Sequence, residues 1–94
     1  EALLEKLLPL LQESKGLIFI EGHTDDQPIS SKEYPSNWDL ALARSNEVQA
    51  FFVLEGLDEN RLRAISHGDT QPVAPNDTEA NRRKNRRVSL LIQQ

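Results

Sequence analysis

The sequence predicts an α/β sandwich, helices packed on a sheet, with elements in the order α-β-α-β-α-β. Two observations carry that prediction. Apolar residues recur at helical spacing in two stretches, and three short β-prone runs alternate with the helical segments. Glycines and Pro/Asn-containing breaks separate the segments, with no internal repeat. A chain of 94 residues is expected to form one domain, 1–94, with a single modest core and no deep enzyme cavity.

In chain order, Glu1 to Lys15 places Leu3, Leu4, Leu7, Leu8 and Leu11 on one helical stripe. Pro9 is expected to kink or restart this helix, and Gly16 to stop it. Leu17 to Ile20 reads as a strand buried on both faces, ending at Gly22. Gln27 to Pro35 is loop-like, with two prolines and several serines. Ser36 is suited to N-cap a helix from Asn37 to about Glu55, with Asp39 near its positive end and Gly56 closing it. Trp38, Ala41, Ser45, Val48 and Phe52 share the face expected to meet the core. Leu62, Ala64 and Ser66 alternate with Arg63, Ile65 and His67 in a second strand that ends at Gly68. Asp69 to Asp77 reads as a loop and Thr78 to Lys84 as a short helix. Val88, Leu90 and Ile92 then alternate with Arg87, Ser89 and Leu91 in a last strand.

Charge narrows the function classes. The net charge is −4, yet Arg82, Arg83, Lys84, Arg86 and Arg87 crowd five cations into six positions, leaving −9 on the rest. An acidic body with one basic cluster argues against broad nucleic-acid binding, which needs an extended basic face. There is no cysteine, so disulfides and thiolate metal sites are excluded. No apolar run is long enough to span a bilayer, and no signal-peptide pattern is visible. The chain opens in a helix-like segment without an initiator Met and reads as a fragment of something longer.

Three constellations could carry function. Gly22-His23-Thr24-Asp25-Asp26 follows the first strand, where α/β sheets often place ligand contacts. A capped strand end with a solvated acidic turn fits it equally well. His23, Asp25 and His67 are metal-ligand types, but without fixed spacing the metal reading is weak, and no metal or cofactor is expected. Asp25 and Asp26 are poor paired catalytic acids, since adjacent strand residues face opposite ways, and no nucleophile elbow accompanies the Ser, His and Asp residues. On the central helix Asn37, Leu40 and Arg44 project from one face. Arg44 there needs an anionic partner. Either it pairs internally with Asp25, or the two charges flank a zwitterion, Asp25 taking the ammonium and Arg44 the carboxylate. The third constellation, Asn81 to Arg87, reads first as a solvated helix end whose cations suit the dipole.

Together these segments resemble the OmpA-like (OmpA/MotB C-terminal) peptidoglycan-binding domain. The matching residues are Gly22-His23-Thr24-Asp25, Ser36-Asn37-Trp38-Asp39-Leu40-Ala41-Leu42-Ala43-Arg44, Gly68 with Gln71-Pro72, Asn76-Asp77-Thr78, and Asn85-Arg86-Arg87-Val88, in order over nearly the whole chain. Asp25-Asp26 before Pro28-Ile29, and Tyr34-Pro35-Ser36-Asn37-Trp38, look most like the stator B-subunits of flagellar motors. The resemblance implies helices on a mixed sheet and no enzyme activity. It implies binding of the stem-peptide diaminopimelate by Asp25 and Arg44, with Thr24, Asn37 and Arg86 in support and Leu40 as apolar wall. It further implies a periplasmic domain of a bacterial inner-membrane protein, a homodimer, and an ion-channel A-type stator partner. A stator-like anti-phage subunit, a general envelope anchor, and a protein-interaction module whose Arg-rich end docks an acidic partner stand as alternatives. In two places the chain departs from the family pattern: the usual strand before the first helix is missing, and the usual Gly-Arg of the third-helix region is Asn81-Arg82.

Overall fold

The computed structural model describes residues 2–93, and Glu1, at the head of the expected first helix, lies outside them. Helices α1 (Ala2–Glu13), α2 (Asn37–Leu54) and α3 (Glu79–Asn85) alternate with strands β1 (Ile18–His23), β2 (Leu62–Gly68) and β3 (Arg87–Ile92). A single 3-10 turn, Glu59–Arg61, leads into β2. The sheet order is β2-β1-β3, with β1 parallel to β2 and antiparallel to β3. The expected α-β-α-β-α-β order and the mixed sheet are both present, and the described residues form three strands.

The alternating side chains explain the layering. Ile18 and Ile20 of β1 and Leu62 of β2 point to one face, where they meet Val48 and Phe52 of α2 and Leu11 of α1. Val88, Leu90 and Ile92 extend that apolar layer along β3. Phe19 and Glu21 face the other way and are only half-buried, so β1 is covered more fully on one side than the expected two-sided burial. Ser36 caps α2, its Oγ accepting from the Asp39 amide and donating to Asp39 Oδ2 at 2.7 Å. At the other end Gly56 takes φ +98°, and Leu57 folds back into the core, its amide donating to Phe52 O at 3.0 Å.

Three local expectations need correction. Helix α1 runs through Pro9 without a break. The carbonyl left without its donor lies on an exposed side, while Leu8 and Leu11 on the other hold the helix to the core. The helix ends at Glu13 rather than by a left-handed Gly16. Arg61 caps it, with Nη1 donating to Leu11 O, Nε to Gly16 O, both at 3.0 Å, and Nη2 to Ser14 Oγ at 2.7 Å. Finally, Ala41, Ser45, Val48 and Phe52 are buried as expected, but Trp38 is 50% exposed. Its ring lies over Gly68, where an added Cβ would meet Trp38 Cδ2 at 3.0 Å. The first turn of α2 overhangs the end of the sheet.

Close approach of α2 to β1 sets the geometry at the C-terminal end of the strand. A Cβ on Gly22 would stand 2.1 Å from Ala41 O and 2.5 Å from Ser45 Oγ. Only a glycine lets the helix backbone rest on the strand here. Ser45 completes the contact, its Oγ donating to Ile65 O at 3.0 Å.

Candidate functional site

Beyond β1 the chain turns through Thr24 and Asp25, both buried although polar. Each is tied down. The Thr24 amide donates to Gly68 O at 2.8 Å and its hydroxyl to Asp25 O at 2.8 Å. Asn37, opening α2, donates through Nδ2 to Gln27 O at 3.1 Å and to Asp25 O at 3.5 Å. The amide of Gln27 donates to Asp25 Oδ1 at 3.0 Å. These contacts fix the Asp25 carboxylate against the end of the sheet.

Its cationic partner is Arg86. Nη1 of Arg86 donates to Asp25 Oδ2 at 2.6 Å, and Nη2 donates to Glu79 Oε2 at 2.6 Å. The antiparallel register places Arg87 opposite His23, which brings the preceding residue beside the turn that carries Asp25. Both carboxylates hold Arg86 more firmly protonated, Glu79 first and Asp25 second. The same hydrogen bond pulls Glu79 below its ordinary pKa. Asp26 is exposed and takes no part, its Oδ1 accepting only from Gln27 Nε2 at 3.4 Å.

Arg44 stands apart from this ion-pair chain. Among the described residues no hydrogen bond or ion pair reaches its side chain, so the internal Asp25–Arg44 pair considered from the sequence is not formed. Arg44 instead lines a cavity of about 430 Å³ together with Arg86, Glu47 and the apolar Val48 and Val88. Leu3 and Leu4 of α1 and Arg87 of β3 complete its lining, and Asp25, Thr24 and Asn37 are not part of it. Arg86 thus faces the cavity shared with Arg44 while holding Asp25. Leu40 is half-buried and does not line that cavity.

Sequence reasoning missed Glu79, whose role depends on α3 turning its first residue toward Arg86. It also missed Asn85. That side chain is fully buried, and Oδ1 accepts from the amides of Val73 at 2.7 Å and Ala74 at 3.2 Å. Its Nδ2 donates to Ala74 O at 3.0 Å and to Asn76 Oδ1 at 2.8 Å, fastening the β2–α3 loop. The signal for it was a lone polar residue within a run of cations. The local turn at Asn81-Arg82 keeps helical form, with Thr78 as N-cap for α3. Arg83 and Lys84 are exposed.

The two histidines do come together, though not with Asp25. His67 Nε2 donates to Glu21 Oε1 at 2.8 Å, and the His23 and His67 rings stack with centroids 5.0 Å apart. Burial, and after it the Arg87 cation, pushes the His23 imidazole below its ordinary pKa.

Similar proteins place this arrangement in a family. The model of the OmpA family matches residues 1–86. YtxE of Bacillus subtilis (strain 168), described as uncharacterized, is 43% identical over 93 residues, covering 98% of this chain and 38% of its own length. The chain spans little more than a third of such curated relatives. Among solved structures, the C-terminal domain of Helicobacter pylori MotB superposes with a TM-score of 0.88 at 32% identity, covering 99% of this chain and 72% of that one. The cell wall anchor of the T6SS from Pseudomonas aeruginosa gives 0.88 at 37% identity, with 97% and 64% covered. With matched sequence over most of its length and the same fold, the chain belongs to the OmpA family, with MotB C-terminal domains as close structural neighbours.

Proposed function

We propose that this domain binds peptidoglycan non-covalently, through the diaminopimelate of the stem peptide, and anchors a stator-type membrane complex to the cell wall. One observation supports this most directly. Arg44 has no partner among the described residues and shares a cavity with Arg86, whose guanidinium leads straight to Asp25. The cavity wall carries the cations Arg44, Arg86 and Arg87 and the anion Glu47, and Asp25 stands behind Arg86. That pattern suits a small group bearing an ammonium and a carboxylate on one carbon. Arg44 grips the carboxylate with its two-pronged fork, and Asp25, oriented by Arg86, Thr24 and Asn37, accepts the ammonium. Val48 and Val88 supply the apolar wall of that cavity, in place of the Leu40 expected from the resemblance. The site holds its ligand and carries out no reaction.

Charge-assisted hydrogen bonds contribute about 1.5–3 kcal/mol each. Two or three of them give modest affinity, so firm anchoring calls for several copies, as in a homodimer or many stators on one wall. The periplasmic-domain structures of Helicobacter pylori MotB support a periplasmic placement, and an A-type membrane partner belongs to the same proposal. The assay is sedimentation with purified diaminopimelate-type peptidoglycan. Asp25→Asn and Arg44→Ala should each abolish co-sedimentation while keeping the fold, judged by the far-UV dichroism of the wild type. Charge reversal of Arg83 and Lys84 should leave binding unchanged. Retained binding by both site variants would refute the assignment, and loss on reversal of the two exposed cations would favour the interaction-module reading.

A further inference from the structure

The helix-free face of the sheet carries a second cluster that wall binding does not use. Glu21 and His23 are two residues apart on β1 and so face the same way. Pairing with β2 then slips: Gly22 lies opposite Ser66, but His23 lies opposite Gly68. His67 is the extra residue of that irregularity, and its side chain lands beside both. One ligand atom from each of Glu21, His23 and His67 lies within 4.8 Å of the other two.

We infer that Glu21, His23 and His67 form a binding site for a divalent transition-metal ion of the zinc class. Two imidazole nitrogens and one carboxylate oxygen are a donor set that suits Zn²⁺, with a fourth position left for water or another ligand. Bonds of about 2 Å in a tetrahedral arrangement need donor atoms roughly 3.3 Å apart, so the cluster must close by no more than about 1.5 Å. The stacked rings lie at 20° to each other, and one imidazole turns about its Cβ–Cγ bond to bring both lone pairs to the ion. His67 is the one able to turn, since it sits on an edge strand and its side chain is 22% exposed.

The alternative is a hydrogen-bonded Glu21–His67 pair with His23 as mere packing. Against it stands His23 Nδ1, which is buried in a residue only 2% exposed and has no hydrogen-bond partner. A buried polar atom left without a partner is costly and uncommon in native folds. Arg87, the nearest cation across the pairing, is held elsewhere: Nη1 donates to Asn85 O at 3.2 Å and Nη2 to Gln71 O at 3.0 Å. An ion here would clip β1 to β2 immediately before the turn bearing Asp25.

Zn²⁺ alone is the probe, titrated calorimetrically into the protein freed of any purification tag. The expected result is one ion per chain, a rise in Tm reversed by EDTA, and shifts of the His23 and His67 ring resonances in NMR spectra. His67→Gln and Glu21→Gln should each weaken binding at least about tenfold and keep the far-UV dichroism of the wild type. No binding at millimolar Zn²⁺, ring resonances of His23 and His67 that stay in place, or affinity unchanged in either variant overturns the inference. Peptidoglycan co-sedimentation is a separate readout, so the two assignments stand or fall independently.

Discussion

Gly22→Ala tests the closest contact in the fold. The new methyl group would sit 2.1 Å from Ala41 O and 2.5 Å from Ser45 Oγ, where about 3.0 Å is the practical minimum, so α2 must retreat by roughly 1 Å. Overpacking of this kind costs about 1–3 kcal/mol. Retreat also stretches the Ser45 Oγ to Ile65 O hydrogen bond, and losing it in a buried setting costs about 1–3 kcal/mol more. A domain of this size loses about 4–8 °C in Tm per kcal/mol, so a fall of at least roughly 10 °C is expected. Thermal and urea denaturation followed by circular dichroism measure it. Gly56→Ala is the internal comparison, because open space surrounds that position and only its φ of +98° opposes a side chain, at about 1–2 kcal/mol. A Gly22→Ala protein melting within about 3 °C of the wild type would refute the contact.

Other expectations rest on single side chains. Asn85→Ala strips the Val73 and Ala74 amides of their acceptor and should cost about 2–4 kcal/mol, with hydrogen exchange at Val73 accelerated at least about tenfold. Arg61→Lys cannot reproduce the three-way cap at the end of α1 and should lower stability by about 1–3 kcal/mol in urea denaturation. Glu79 has a depressed pKa when folded, so its contribution is present above the ordinary Glu range near pH 4.3 and fades as pH falls through the lower folded value. A Tm-versus-pH profile should therefore drop less steeply in acid for Glu79→Gln than for the wild type.

Legibility in the sequence tracks the range of the forces involved. The cap at Ser36 and the stop at Gly56 are local signals, and the structure keeps both; β2 and β3 form where the sequence places them, although most of their residues are half-buried on either face rather than alternating. Burial of Ala41, Ser45, Val48 and Phe52 was legible because helical spacing assigns a face. Spacing does not say how far along the helix the sheet extends, which is why Trp38 lies outside the core. The Asp25 partner was not legible for a related reason. Arg44 and Arg86 are both cations of equal reach, and the choice between them depends on the antiparallel register of β3 against β1. The Glu21–His67 contact likewise depends on strand pairing across dozens of residues, whereas Glu79 meets Arg86 only seven residues on, at the other end of α3.

The central place of β1 also governs how the molecule can be assembled. Ile18 pairs with Leu62 on one side and with Ile92 on the other, so the innermost strand waits for neighbours that emerge from the ribosome much later. Such distant pairings close slowly, since large loops must be ordered before any reward arrives. A nascent chain lacking β3 leaves one side of β1 bare, and holding it out of aggregates until Ile92 is available falls to whatever escorts the polypeptide during synthesis.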